Sequence, residues 1–172
     1  MSEKLIDHCL KTGASRAKII PTSEIAALNR VECGECPEYG RNLSCPPLIP
    51  PPHHFFNGLP VYKQGLLLQL DGPGISHPEN IFSYSSKLHT IVLELETHLW
   101  ETGYQKVKGL ISGCCKLCRC CPPPGKPCRF PDRARSSMEA VGINVVSTCE
   151  KAGMPLVFPV GETARWTGLL LF

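Results

Sequence analysis

Cysteine is the residue type that could do chemistry in this sequence. Seven of its eleven cysteines fall into two groups with metal-ligand spacing. The first group is Cys33-x-x-Cys36 followed by Cys45-Pro46-Pro47. The second is Cys115-x-x-Cys118-x-x-Cys121, with Cys128 after it in Gly125-Lys126-Pro127-Cys128-Arg129. A tight loop with thiolates three residues apart can turn several sulfurs onto one small object. Such soft donors select zinc or an iron–sulfur cluster over magnesium or calcium.

The second group favours iron–sulfur. A Cys-x-x-Cys-x-x-Cys run with a later cysteine beside proline is the ferredoxin-type arrangement for a [4Fe–4S] cluster. Cys128 follows Pro127, but its gap from Cys121 is longer than in that run, so its ligation of the same cluster is left open. Zinc sites draw on Cys-x-x-Cys in two separated knuckles. Lys116, Arg119, Lys126, Arg129, Arg133 and Arg135 stand around this group against Asp132. Cations beside thiols favour the thiolate, and the same patch could draw a redox partner or a small anionic substrate. A solvated basic loop is the alternative. No aromatic interleaving supports nucleic-acid binding. Cys114 and Cys120 adjoin candidate ligands and read as spare thiols or alternative ligands.

The first group is one ligand short. A cysteine of the second group could complete it. Three thiolates could also hold a [4Fe–4S] cluster with one iron open, and open metal positions are where chemistry happens. Zinc completed by His53 or His54 is a third arrangement. Glu32 and Glu35 flank this group and read as solvated carboxylates. His89 and His98 are expected on the polar side of a long helix, with His8 and His77 at element edges. Cys9 and Cys149 fall on apolar helical faces and are expected in the core. No Ser/His/Asp arrangement, phosphate-binding loop or dinucleotide fingerprint is present.

Together, Cys33-x-x-Cys36-x-x-Tyr39-Gly40, Cys45-Pro46-Pro47, Gly113-x-Cys115-x-x-Cys118-x-x-Cys121, Gly125-x-Pro127-Cys128-Arg129-x-Pro131 and Ser137-Met138-Glu139-Ala140-x-Gly142-Ile143-x-Val145 resemble an uncharacterised prokaryotic family of predicted metal-binding proteins, a domain of unknown function. The resemblance covers most of the chain. It implies that Cys33, Cys36, Cys45, Cys115, Cys118, Cys121 and Cys128 are ligand-type positions. It leaves Cys114 and Cys120 outside the pattern and supplies neither substrate nor reaction.

The elements that must position these loops follow from hydrophobic period. Leu5, Ile6, Cys9 and Leu10 share a helical face that Gly13 can stop. Ala17–Pro21 reads as a strand, Ser23–Val31 as strand or helix, and Gly65–Leu70 as a buried strand. Pro78 opens a long helix in which Ile81, Tyr84, Leu88, Ile91, Leu95 and Leu99 recur at three and four. Gln105–Ile111 is expected as a strand. Ser136 and Glu139 have capping-box spacing for a helix running to Gly153. Met154–Val160 and Trp166–Phe172 read as strands, the last nearly all apolar and therefore central. The expected fold is α/β, an α+β sandwich. One mixed sheet carries packed helices, and cysteine-rich loops 32–52 and 113–131 hang from strand ends, in a single domain 1–172.

The 172 residues can bury a core, and a net charge of +3 does not by itself imply nucleic acid. The N-terminus has no apolar signal region, and no apolar run is long enough to span a membrane. A reducing cytoplasm is therefore expected, where clustered cysteines bind metal instead of forming disulfides. The functional expectation is an iron–sulfur protein with one or two [4Fe–4S] clusters and a redox or electron-transfer role. The alternative is a non-enzymatic interaction module with structural zinc.

Overall fold

The structure, a computed structural model, describes residues 2–29, 33–74, 78–123, 125–158 and 160–172. The expected roles of Glu32 and His77, and part of the Ser23–Val31 and Met154–Val160 segments, fall outside them. Four helices and four strands follow in the order α1 (Ser2–Thr12), β1 (Arg16–Pro21), α2 (Pro52–Gly58), β2 (Gln64–Pro73), α3 (Pro78–Glu101), β3 (Lys108–Leu110), α4 (Val145–Lys151) and β4 (Thr163–Leu171).

The strands form one open sheet in the order β1-β2-β4-β3. It is an α+β fold. All three ladders are antiparallel, where a mixed sheet was expected, with Ala17 opposite Leu68, Leu67 opposite Leu169 and Gly109 opposite Leu170. The parallel pairing among the described residues is the isolated bridge between Ile111 and Ser137. The apolar C-terminal strand is central as its composition demands, lying between β2 and β3. A strand buried on both faces has no polar side to alternate with.

Side chains alternate across β2 and so build two cores. On one face Leu66, Leu68 and Leu70 pack with Leu88, Ile91, Leu95 and Leu99 of α3 and with Leu5 and Cys9 of α1. On the other, Leu67, Leu169 and Leu171 pack with Met138, Val141, Ile143, Val145 and Cys149. Cys9 and Cys149 are core residues, as expected. Gln69 points into the second core, and its amide donates to the Met154 carbonyl at 2.7 Å. The close approach of α3 to β3 depends on Gly109, where an added Cβ would lie 2.5 Å from Val92. Among the described residues no helix is long and apolar enough to cross a membrane.

Three expected elements differ. The strand ending at Ile111 contracts to Lys108–Leu110. No strand forms in the described part of 154–160. The expected helix from Ser136 begins only at Val145, where Asn144 caps it by accepting from the Ser147 N–H at 3.0 Å. Residues before it make tight turns instead. Ser137 Oγ accepts from Ala140 N, and Gly142 turns the chain at φ +87°. That conformation excludes a helix through this point.

Candidate metal centre

The two cysteine loops are tied to one strap of chain, residues 136–144. The second loop leaves β3 at Ile111 and returns at Ser136. Its neck is closed by Ile111 N–H to the Ser136 carbonyl at 3.1 Å and by Met138 N–H to the Ile111 carbonyl at 3.0 Å. The first loop starts beyond Ala27, which bridges Ile143, while Leu28 N–H donates to the Gly142 carbonyl at 2.8 Å. It ends at Pro52, the start of α2, against Gly142, where an added Cβ would meet Pro52 Cβ at 2.6 Å. The sequence marked this strap as a capping box and as part of the family motif, without showing that it joins the loops. Its function in the fold is to bring two loops distant in sequence to one place.

Helix α3 holds the returning limb of the second loop. Glu96, 5 % exposed, receives Arg135 through Nη2 at 2.6 Å and Nε at 2.8 Å. The same carboxylate accepts the Gly109 N–H, joining β3 to the clamp. His89 is 2 % exposed, with Nε2 2.9 Å from the Arg133 carbonyl. This corrects the expectation of a solvated His89, because α3 carries the loop on a face that the apolar period alone left polar. Burial, the main cause, holds the His89 imidazole below its ordinary value, with the Arg135 and Arg133 charges adding to the effect. The other expected surface histidine, His98, stacks on His8 at a ring distance of 3.8 Å.

Inside the loops, the chain folds on itself through turns. Cys36 N–H donates to the Cys33 carbonyl at 3.0 Å, the turn geometry of a Cys-x-x-Cys knuckle. Asn42, 4 % exposed, joins the loops: its amide donates to the Cys115 carbonyl at 3.0 Å and its Oδ1 accepts from Ser44 N at 3.1 Å. Its own carbonyl accepts from Cys45 N at 2.9 Å. One buried residue thus links Cys45 of the first group, through its main chain, to Cys115 of the second, through its side chain. Nothing in the spacing of the cysteines pointed to Asn42.

The sulfurs sort into two neighbourhoods. Burial first, and then Cys114, Cys36, Glu38 and Cys33 in that order, push the Cys45 thiol up to about 12. Burial, Cys36 and Glu139 raise Cys33. Burial also raises Cys115, with Cys121 and Cys128 as further causes, while the backbone N–H groups of Leu117 and Arg135 act in the opposite sense by bonding its sulfur. Phe130 N–H donates to Cys128 Sγ at 3.4 Å. Cys118 and Cys121 are half-buried, and Cys36 and Cys120 are exposed. His53 and His54 are exposed on α2 and face each other at a ring distance of 4.6 Å.

All eleven cysteines are free thiols. Among the described residues no three His, Cys, Asp or Glu side chains form a group that could hold a metal ion as they stand. The donor set nevertheless fits a soft metal. Neighbouring thiols add to burial in raising Cys33, Cys45 and Cys115, a repulsion that a soft cation would cancel, and backbone N–H groups already point at Cys115 and Cys128, as outer partners of a metal-bound thiolate do. One carboxylate is also left over. Glu139 Oε2 is buried without a hydrogen-bond partner, and burial raises the Glu139 carboxyl.

No curated protein and no solved structure matches the chain. A family model does, over residues 18–172, the stretch that holds both loops, the strap and the whole sheet except the first residues of β1. The chain therefore belongs to the predicted metal-binding protein family DUF2284.

Proposed function

We propose that the protein is an iron–sulfur protein of the cytoplasm that transfers electrons to or from a redox partner protein or a small anionic substrate. Cys115, Cys118, Cys121 and Cys128 would hold one [4Fe–4S] cluster. Cys33, Cys36 and Cys45 would hold a second centre. A bound cluster of this kind supplies one-electron transfer. The observation that carries the reading is the Asn42 bond that holds Cys115 of the second loop near Cys45 of the first, with Cys121 and Cys128 acting on the Cys115 thiol and Cys114, Cys36 and Cys33 on the Cys45 thiol.

The chain's own residues support that role. The N–H groups of Leu117 and Arg135 at Cys115, and of Phe130 at Cys128, would stabilise charge on the sulfurs. Arg119, Lys126, Arg129 and Arg133 are exposed around the loop and would steer an anionic partner to it. Arg135 is committed to Glu96 and serves position instead.

Structural zinc in a non-enzymatic interaction module is the second reading. The Cys33–Cys36 turn favours it, since a closed Cys-x-x-Cys knuckle suits tetrahedral zinc. Anaerobic purification separates the two. The first reading expects brown protein with visible iron–sulfur absorbance and matching iron and acid-labile sulfide. Colourless protein with stoichiometric zinc and no sulfide overturns it.

A further inference from the structure

A cavity of about 450 Å³ lies where α1, the C-terminal end of α3 and the sheet edge at Gln64 and Phe172 meet. Small-molecule sites run from roughly 300 to 1,000 Å³. Among the described residues, its lining takes nothing from loops 32–52 and 113–131. The floor is apolar, made by the buried core residues Leu5, Leu99 and Phe172. The stop of α3 builds one wall. Gly103, at φ +97°, ends the helix, with its N–H on the Trp100 carbonyl at 3.0 Å and Tyr104 N–H on the Leu99 carbonyl at 3.1 Å. This Schellman turn lays Tyr104 in T-shaped contact with Phe172 at a ring distance of 5.1 Å. Phe172 is itself fixed, since its main chain exchanges hydrogen bonds with Gln64 at 3.0 and 3.1 Å. The floor is therefore formed before any ligand arrives, which spares a ligand the cost of ordering it.

The rest of the lining is cationic. Lys4, His8 and Lys11 recur at four and three along α1, so they share a face, and all three line the cavity. His98 of α3 meets that face, its ring stacked on His8 at 3.8 Å and 18°. Asp7 is the one acidic side chain in the described lining, and Glu94 of α3 neighbours His8. Burial first, then His98 and Lys11, hold the His8 imidazole below its ordinary 6.5, while Glu94 opposes them. Two imidazoles in face-to-face contact repel each other if both are charged, and an anion beside them offsets that. We propose that this cavity binds a small organic acid, with its carboxylate at the His8–His98 pair and an apolar medium-chain or aryl body on Leu5, Leu99 and Phe172. The site stands apart from the cysteine loops. The second loop starts where Gly113 lies beside Ser85, an added Cβ there reaching Ser85 Oγ at 3.9 Å. From Ser85 to His98 is about 20 Å along α3. The acid is therefore a ligand of the fold in its own right, whichever metal the loops hold.

The test titrates the full chain, purified anaerobically, with octanoate, 3-phenylpropionate, octanamide and inorganic phosphate by calorimetry. At least one of the two acids should bind saturably, one per chain, and octanoate about tenfold more tightly than octanamide, its neutral counterpart. Binding should take up protons at neutral pH, read from the dependence of the heat on buffer ionisation, and should tighten as pH falls, because the bound anion favours imidazolium. His8→Gln should keep octanamide binding while losing most of the acid preference and the proton uptake. Thr102→Trp, at an exposed position of the lining, should block acid and amide alike with an unchanged circular dichroism spectrum. If that bulky variant misfolds, Lys11→Gln, also exposed, should weaken octanoate and spare octanamide. No saturable binding by either acid overturns the proposal. Equal affinity for octanoate and octanamide in the parent shows an apolar cavity without anion recognition, and phosphate matching octanoate shows a bare cationic patch; either result overturns it too. Binding without proton uptake removes the imidazole pair and with it the assignment.

Discussion

The side-chain amide of Asn42 donates to the main-chain carbonyl of Cys115 across 73 residues of sequence, at 3.0 Å. Asn42 also accepts from Ser44 N and, through its carbonyl, from Cys45 N, so the bond is anchored at the first cysteine group. Asn42→Ala would leave the Ser44 N–H and the Cys115 carbonyl without this partner. The expected cost is about 1–3 kcal/mol, read as a lower urea midpoint, together with reduced metal content in both loops. Asn42→Ala with unchanged metal would show that the loops find each other without this bond.

The Glu96–Arg135 pair should matter more for stability than for electrostatics at the surface. Glu96 is buried and Arg135 is its ion-pair partner. Removing the guanidinium in Arg135→Ala strands a buried carboxylate and should cost about 3 kcal/mol. Chemical denaturation measures it. The Glu96→Gln, Arg135→Ala double variant should recover part of the loss, since no buried charge is then left unpaired.

Alkaline stability should depend on Cys9. Burial between α1 and α3 raises its thiol from an ordinary value of 9.0 to about 12. Above pH 9 the unfolded chain gives up that proton while the folded chain keeps it, so unfolding is favoured progressively. The contribution is complete below pH 9 and is lost as pH rises toward 12. Cys9→Ala should flatten this part of the stability–pH curve, measured by urea midpoints at stepped pH. An equal slope in parent and variant would contradict it.

Gly142→Ala tests the strap. The residue sits at φ +87°, and its added methyl would meet Pro52 at 2.6 Å. Left-handed backbone and steric overlap together should cost about 2 kcal/mol or more. Both loops end at this strap, so metal content should fall in step with thermal midpoint. A variant that loses stability but loads normally would separate the strap from the loops.

The sequence was most legible where one physical rule dominates. Leu66 to Leu70 and the apolar C-terminal strand are buried on both faces, so hydrophobic run length sufficed to find them. The spacing of Leu88, Ile91, Leu95 and Leu99 placed α3 for the same reason. The segment from Ser136 was misread because its capping-box spacing satisfies a local rule, while Gly142 adopts a conformation that spacing does not reveal. His89 was expected on the polar side of α3, and Glu96 lies on the same helix. They are buried because Arg133 and Arg135 come back over that face, a long-range event with no local trace. In the candidate centre, cysteine spacing named the ligand-type positions. The cross-loop partners of those thiols depend on Asn42, which carries no sequence signature, and on the strap, whose Ser137–Val145 motif marks the family but not the contacts it makes.

The strap has one more consequence. Residues 136–144 terminate the free ends of both loops at once. With those ends fixed, freezing one loop also holds the Asn42–Cys115 bond and so pins a point inside the other, which shortens the chain left to wander there. The two loops are then not independent receptors. Filling the first lowers the ordering penalty of the second, so partially loaded molecules should be scarce and loading should approach all or none.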